Sequence, residues 1–235
     1  MTSPICCLTS LIEKSTVPHA GGRFCSSKNS VVASLFCASQ SNPRTCEGAC
    51  LATKHGFVSP AISQTGRVFP YWTLRGYSGV DEISTNIQMV IIILHGFTNN
   101  DGDKKACCIM DMVRSRLSEK NQKRVLVIAP QFWSIGDKVP DRELTWPRRG
   151  AWEHGDQSTT GSPETVSSYL VVDQMLEALV NNENFSNLRK IKLVGHSAGG
   201  QFVQRYAAFG QAYERLKVFA SCVEGDNFGE LGAIP

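Results

Sequence analysis

The residues best suited to chemistry form one short string, Gly195-His196-Ser197-Ala198-Gly199-Gly200. Lys190 to Val194 before it reads as a strand, and Ala198 to about Phe209 reads as a helix. A serine in G-x-S-x-G spacing between a strand and a helix occupies a very tight turn. Such a turn needs small flanking residues so that the chain can double back, and it holds the serine in sparsely populated dihedrals. It lifts the hydroxyl above the carboxyl ends of the strands, where open α/β sheets bind ligands. It also puts Ser197 at a helix N-terminus, whose free N–H groups and partial positive charge favour a developing oxyanion. The chemistry of this spacing is nucleophilic attack on an acyl group; the bland alternative is a tight turn with an inert serine.

A serine hydroxyl is a weak nucleophile and needs a base within hydrogen-bond reach, itself oriented by an acid. The five histidines are His19, His55, His95, His154 and His196, and none follows Ser197. Glu224 and Asp226 do follow it, but an acid without its base activates nothing. His154 is the one alternative base. It lies in the segment from Gln131 to Gly161, too long for an ordinary connection and so a candidate functional loop. Trp133, Trp146 and Trp152 lie in or near that loop, with Arg148 and Arg149 between the last two. Trp146, Arg148, Arg149, Trp152 and His154 are therefore expected to line a substrate mouth, against the alternative that the arginines are a solvated surface pair.

The elements that must position this string alternate between strand and helix. Arg67 to Leu74 is a β-like run with aromatics, and Gln88 to Leu94 is a β-branched run suited to a strand buried on both faces. Lys104 to Lys120 carries Ala106, Met110, Val113 and Leu117 on one helical face. Arg124 to Ala129 is a second buried strand, and Pro130 ends it. Ser162-Pro163-Glu164 announces a helix with serine as cap and proline at its first position. Its core face is Val166, Tyr169, Val172, Leu176 and Leu179, and Leu216 to Cys222 is expected as a last strand. Buried strands separated by amphipathic helices predict an α/β fold, with a mostly parallel sheet covered by helices on both faces.

Composition narrows the function classes. Of 235 residues, 42% are apolar and 19% charged, which excludes a fully disordered or fibrous chain. The longest run of strong apolar residues, Met89 to Leu94, is far short of the roughly 20 needed to cross a bilayer. The net charge of +3 resides in residues 1–60, with five Lys/Arg against two acids, while residues 61–235 carry nineteen of each. A body with balanced charge has no footprint for nucleic acid. Residues 1–60 are basic, hydroxylated and acid-poor, as a plastid or mitochondrial transit peptide is; the alternatives are a plain disordered extension or a structural element, and without such targeting the chain would be cytoplasmic. Six of the nine cysteines lie in the first fifty residues at irregular spacing, which fits a reduced intracellular setting better than a disulfide framework. Cys46, Cys50 and His55 lack a second pair at zinc-finger spacing, so no metal is expected. No G-x-G-x-x-G follows the first strand, which disfavours a dinucleotide binder, and no cofactor is expected.

Leu94-His95-Gly96-Phe97 follows the buried strand where α/β-hydrolases place the loop that supplies an oxyanion donor. With Gly195 to Ala207 (GHSAGGQFVQRYA) and Ala129-Pro130-Gln131-Phe132 after a strand, residues 66–222 resemble the α/β-hydrolase superfamily, in a subgroup of uncharacterised hydrolases. The resemblance implies a three-layer α/β-hydrolase-type sheet. It implies Ser197 as nucleophile and the backbone N–H groups of Phe97 and Ala198 as the oxyanion hole. His95 and His196 then pack or turn the chain, and Gly195, His196 and Gly199 shape the elbow. The substrate would be a small acyl compound, an ester or amide, with oligomeric state left open. In this superfamily the acid and then the histidine follow the serine. The 38 residues after Ser197 hold neither that histidine nor room for the last strands, and the tail 223–235 departs from the subgroup. The resemblance therefore also admits a truncated, non-catalytic binder.

Overall fold

The computed structural model describes residues 6–13, 34–37, 52–74, 86–96, 118–148, 150–160, 164–195 and 197–212. Its strands in chain order are β1 (Cys6–Glu13), β2 (Ser34–Cys37), β3 (Ala52–Phe57), β4 (Phe69–Leu74), β5 (Met89–Leu94), β6 (Val125–Pro130), β7 (Trp133–Ser134), β8 (Thr145–Trp146) and β9 (Lys190–Gly195). The α-helices are α1 (Pro60–Gln64), α2 (Glu119–Gln122), α3 (Ser168–Asn181) and α4 (Ala198–Phe209). Single 3₁₀ turns cover Trp152–His154 and Glu183–Phe185.

Seven strands form one sheet in the order β2-β1-β9-β5-β6-β4-β3. The three central strands β9, β5 and β6 are parallel, and β4, β3, β1 and β2 join by antiparallel pairing. Five of the seven thus run one way, an α/β fold with a mixed, mostly parallel sheet. The apolar runs explain the centre, since β5 and β6 are buried at every position and a strand covered on both faces has no place for polar alternation. In-register neighbours Val90 and Ile191, and Ile92 and Leu193, point to one face. That face shares a core with Leu126, Ile128, the buried side of α3 and the Phe202–Val203–Tyr206 side of α4. Met89, Ile91, Ile93, Val125, Val127 and Ala129 make the opposite face, also buried. Helices α1, α3 and α4 pack on the first face, and the expected helix over 104–120 lies outside the described residues apart from its end near α2.

Three boundaries differ from expectation. The sheet does not start at residue 66, because β3 already pairs with β4 along its whole length, Ala52 with Leu74 through Phe57 with Phe69. Its residues alternate weakly in sequence, and the neighbouring strand supplies the order that local propensity does not. Strands β1 and β2 also fall within 1–60, with β1 on the free edge of β9. Helix α3 begins at Ser168 rather than beside Pro163. Residues 164–166 lie outside any helix and Ser167 is extended, with the Ser158 N–H donating to the Val166 carbonyl at 2.9 Å and the Val166 N–H donating to Ser158 Oγ at 3.1 Å. Ser167 caps the helix, its hydroxyl accepting from the Tyr169 N–H at 3.1 Å. The expected strand 216–222, the tail 223–235, Ser162-Pro163 and Cys46 with Cys50 all lie outside the described residues. Among the described helices none is long and apolar enough to cross a membrane.

Candidate active site

Strands β9, β5 and β6 end side by side, and the chain leaving each end builds the site. Gly195 closes β9, Ser197 follows at the turn, and α4 starts at Ala198. Ser197 has φ 55° and ψ −117°, the mirror image of the first central position of a type II turn, a conformation dominated by glycine. A serine there is strained by about 1–3 kcal/mol, held in place by its surroundings. Those surroundings are tight backbone contacts. A Cβ on Gly195 would collide with the backbone of Gly199 and Gly200, and one on Gly199 would collide with the Leu94 carbonyl oxygen and lie 2.6 Å from that of His95. The first turn of α4 therefore rests directly on the ends of β9 and β5, closer than any side chain permits.

The side chain of Ser197 is exposed and caps nothing on the helix. Its hydroxyl has no hydrogen bond to any other described residue. The Ala198 N–H, first in the helix, has no intrahelical acceptor and points out of its end. An exposed serine hydroxyl and an unpaired helix-end N–H thus stand at adjacent positions. Phe97, expected as the second donor, and His196 lie outside the described residues.

His95 is buried at the end of β5. Its Nδ1 lies 2.6 Å from the Gly96 carbonyl oxygen, and its Nε2 accepts the Phe132 N–H at 2.9 Å. A carbonyl can only accept and an N–H can only donate, so Nδ1 carries the proton and Nε2 is bare. Gln131 Nε2 lies 3.3 Å from the same ring nitrogen. His95 thereby ties the end of β5 to the end of β6, a packing role rather than a base. Behind it lies a dense aromatic cluster in which Phe132 stacks on Trp152 at 4.9 Å and meets Trp146 edge-on at 5.0 Å, and His95 lies 5.0 Å from Trp152.

The tryptophans correct the expected substrate mouth. Trp146 is 0% and Trp152 1% exposed, so neither lines an opening. The long connection folds back beneath the site, pairs β7 with β8, and buries its aromatic surface against Phe69, Phe132 and Phe202. Burying so much apolar area is worth more than exposing it as a mouth, about 1.5–3 kcal/mol for each large side chain. Trp146 Nε1 donates to the Asp156 carbonyl at 2.9 Å and Trp133 Nε1 to Glu143 Oε2 at 2.6 Å, so the indole N–H groups are satisfied inside. Arg148 is exposed, with Nη2 3.7 Å from Asp156, which is the solvated alternative; Arg149 lies outside the described residues. His154 is half exposed and sits 3.1 Å from Glu153 Oε1. His55 on β3 meets Thr73 Oγ1 at 2.8 Å and stacks on Tyr71. Each described histidine is engaged away from Ser197.

Sequence reasoning missed two buried polar centres. Asp173 on α3 accepts the Tyr206 hydroxyl at 2.5 Å and the Ala212 N–H at 2.8 Å, fastening α4 to α3. Glu153, also buried, faces Arg205 Nη1 at 3.5 Å, and its Oε2 has no hydrogen-bond partner among the described residues. Helical spacing marks neither, because both carboxylates look like surface residues until the partner element arrives. Beside Glu153, burial pushes the Tyr169 phenol above its ordinary value; Arg205 opposes the rise and Asp156 and Glu153 add to it.

No protein-family model matches the chain, and no curated protein or solved structure matches it.

Proposed function

We propose that the chain is a serine hydrolase of the α/β-hydrolase type, acting on an ester, amide or similar acyl bond of a small molecule. The observation that carries the reading is the strained backbone of Ser197 at the crest of β9, with two glycines whose contacts exclude any side chain. Strain of this kind persists where a function requires it. Ser197 Oγ would attack the acyl carbon and lose its proton, while the oxyanion formed accepts from the Ala198 N–H. Collapse expels the leaving group, which takes up a proton, and water then releases the acid from acyl-Ser197.

A second reading, a catalytically silent binder on the same scaffold, is favoured by one observation: the described histidines His55, His95 and His154 are all engaged with partners other than Ser197. The two readings differ in the reactivity of one oxygen. Where no histidine reaches Ser197 the proton acceptor would be solvent, and a missing general base lowers the rate by about 10²–10⁴. The test is a fluorophosphonate probe with the adduct located by mass spectrometry, with and without added imidazole. The hydrolase reading expects slow phosphonylation at Ser197, accelerated by imidazole and absent in Ser197→Ala. A folded chain that leaves Ser197 unmodified in both conditions overturns it in favour of the binder.

A further inference from the structure

We propose that Glu153 and His154 form a second reactive centre, separate from Ser197, in which the His154 imidazole accepts a phosphoryl group on Nδ1. Glu153 is buried, with 5% of its side chain exposed, whereas the His154 side chain is 47% exposed. The His154 Nε2 lies 3.1 Å from Glu153 Oε1. A bare nitrogen there would face the carboxylate lone pair to lone pair, so Nε2 carries the proton and the neutral ring keeps its lone pair on Nδ1. Nδ1 has no hydrogen-bond partner among the described residues. A phosphoryl acceptor needs this: one tautomer, with its nucleophilic nitrogen left open.

The carboxylate supplies a counter-charge. Glu153 Oε2 is buried with no hydrogen-bond partner among the described residues, and a desolvated carboxylate oxygen without a donor is costly. Positive charge on the adjacent ring relieves that cost, and such charge grows as Nδ1 bonds to phosphorus. Arg205 makes the phosphoryl group the fitting one. Its Nη1 lies 3.5 Å from the same Oε1 and 3.4 Å from the Glu153 carbonyl oxygen, and its Nη2 donates to Gln201 Oε1 at 3.2 Å. These are long contacts on a partly exposed side chain, so the guanidinium is free to turn toward phosphoryl oxygens, which its planar fork matches. An uncharged acyl group would leave it no role. The turn beneath is fixed: the Ser168 hydroxyl donates to the Trp152 carbonyl at 2.6 Å and the Ser167 hydroxyl to the Gly155 carbonyl at 2.9 Å. In the reaction the Nδ1 lone pair forms the N–P bond as the P–N or P–O bond of a phosphoramidate or acyl phosphate donor breaks. The leaving group departs with that electron pair and takes a proton from solvent, while Nε2 keeps its proton toward Glu153.

Phosphoramidate is the probe, with the product located by mass spectrometry and its isomer read from ³¹P and ¹⁵N spectra. The full chain should gain a phosphoryl group at His154, on Nδ1, faster than at any other histidine and faster than in the urea-unfolded chain. Glu153→Gln, which keeps the shape and removes the charge, should slow the reaction about 10–100-fold, the usual effect of losing a partner that orients an imidazole. Arg205→Gln, which leaves the carboxylate in place, should slow it as well. Both are compared with the parent well below their melting temperatures. Reaction at Nε2, a rate at His154 no higher than in the unfolded chain, or a Glu153→Gln variant that reacts like the parent overturns the proposal. If Glu153→Gln does not fold, an Arg205→Gln chain that reacts like the parent overturns it instead. Ser197→Ala should leave the labelling unchanged, so the outcome stands apart from the hydrolase reading; a loss in that variant refutes a separate centre.

Discussion

Replacing Ser197 by glycine should stabilise the protein relative to replacing it by alanine. Both changes remove the hydroxyl, so their difference isolates the backbone. At φ 55° and ψ −117° a side chain is strained, at about 1–3 kcal/mol for such positions. Glycine escapes that strain but carries about 0.5–1 kcal/mol more chain entropy to lose on folding. The net expectation is about 0–2.5 kcal/mol in favour of Ser197→Gly, or up to about 10 °C in melting temperature for a chain of this size. Urea unfolding followed by circular dichroism measures it, and the midpoint should rise with an unchanged m-value. A Ser197→Gly chain less stable than Ser197→Ala would refute the strained turn, and with it the observation that supports a nucleophile here. The result does not depend on substrate, base or probe.

Other expectations test the surroundings of the turn. Trp152→Ala should cost about 3–5 kcal/mol of stability as a core truncation; a folded variant of near-parental stability would restore the mouth-lining reading. Asp173→Ala leaves the Tyr206 hydroxyl and the Ala212 N–H without their acceptor, and should cost about 2–4 kcal/mol, whereas Tyr206→Phe with Asp173 retained should cost less; equal losses in denaturant unfolding would place the effect elsewhere. Because burial raises the Tyr169 phenol above 10.0, the folded state holds that proton more tightly than the unfolded chain. Its contribution is full below the ordinary value and is lost as pH rises through the folded one. Unfolding free energy should therefore fall more steeply at alkaline pH in the parent than in Tyr169→Phe, and parallel curves would contradict the assignment.

The order of elements around Ser197 was legible in residue order alone. The β-branched runs at Gln88 to Leu94 and Arg124 to Ala129 marked β5 and β6 within a residue or so, and Ala198 to Phe209 is the helix α4 as read. The two glycines flanking the serine were legible too, because a tight strand-to-helix turn rejects side chains whatever the rest of the chain does. These signals are local: hydrophobic period, steric size and backbone freedom are properties of neighbouring residues.

What the tertiary structure decided involves residues far apart. The three tryptophans looked like the lining of an opening and became core, because burial depends on which faces arrive opposite them, and Phe69, Phe132 and Phe202 come from three different elements. The extent of the sheet was equally hidden, since β3 is a strand only because β4 lies beside it. The resemblance implies a packing or turn role for His95, but not its partner, the Phe132 N–H, which lies 37 residues away. The sequence by itself determined the turn that holds Ser197, its strand and its helix, since these follow from adjacent side chains and their steric limits. Only the fold decided what holds the neighbouring loop, which polar groups are buried and which aromatics meet solvent, because a hydrogen bond or a buried face needs both partners in place.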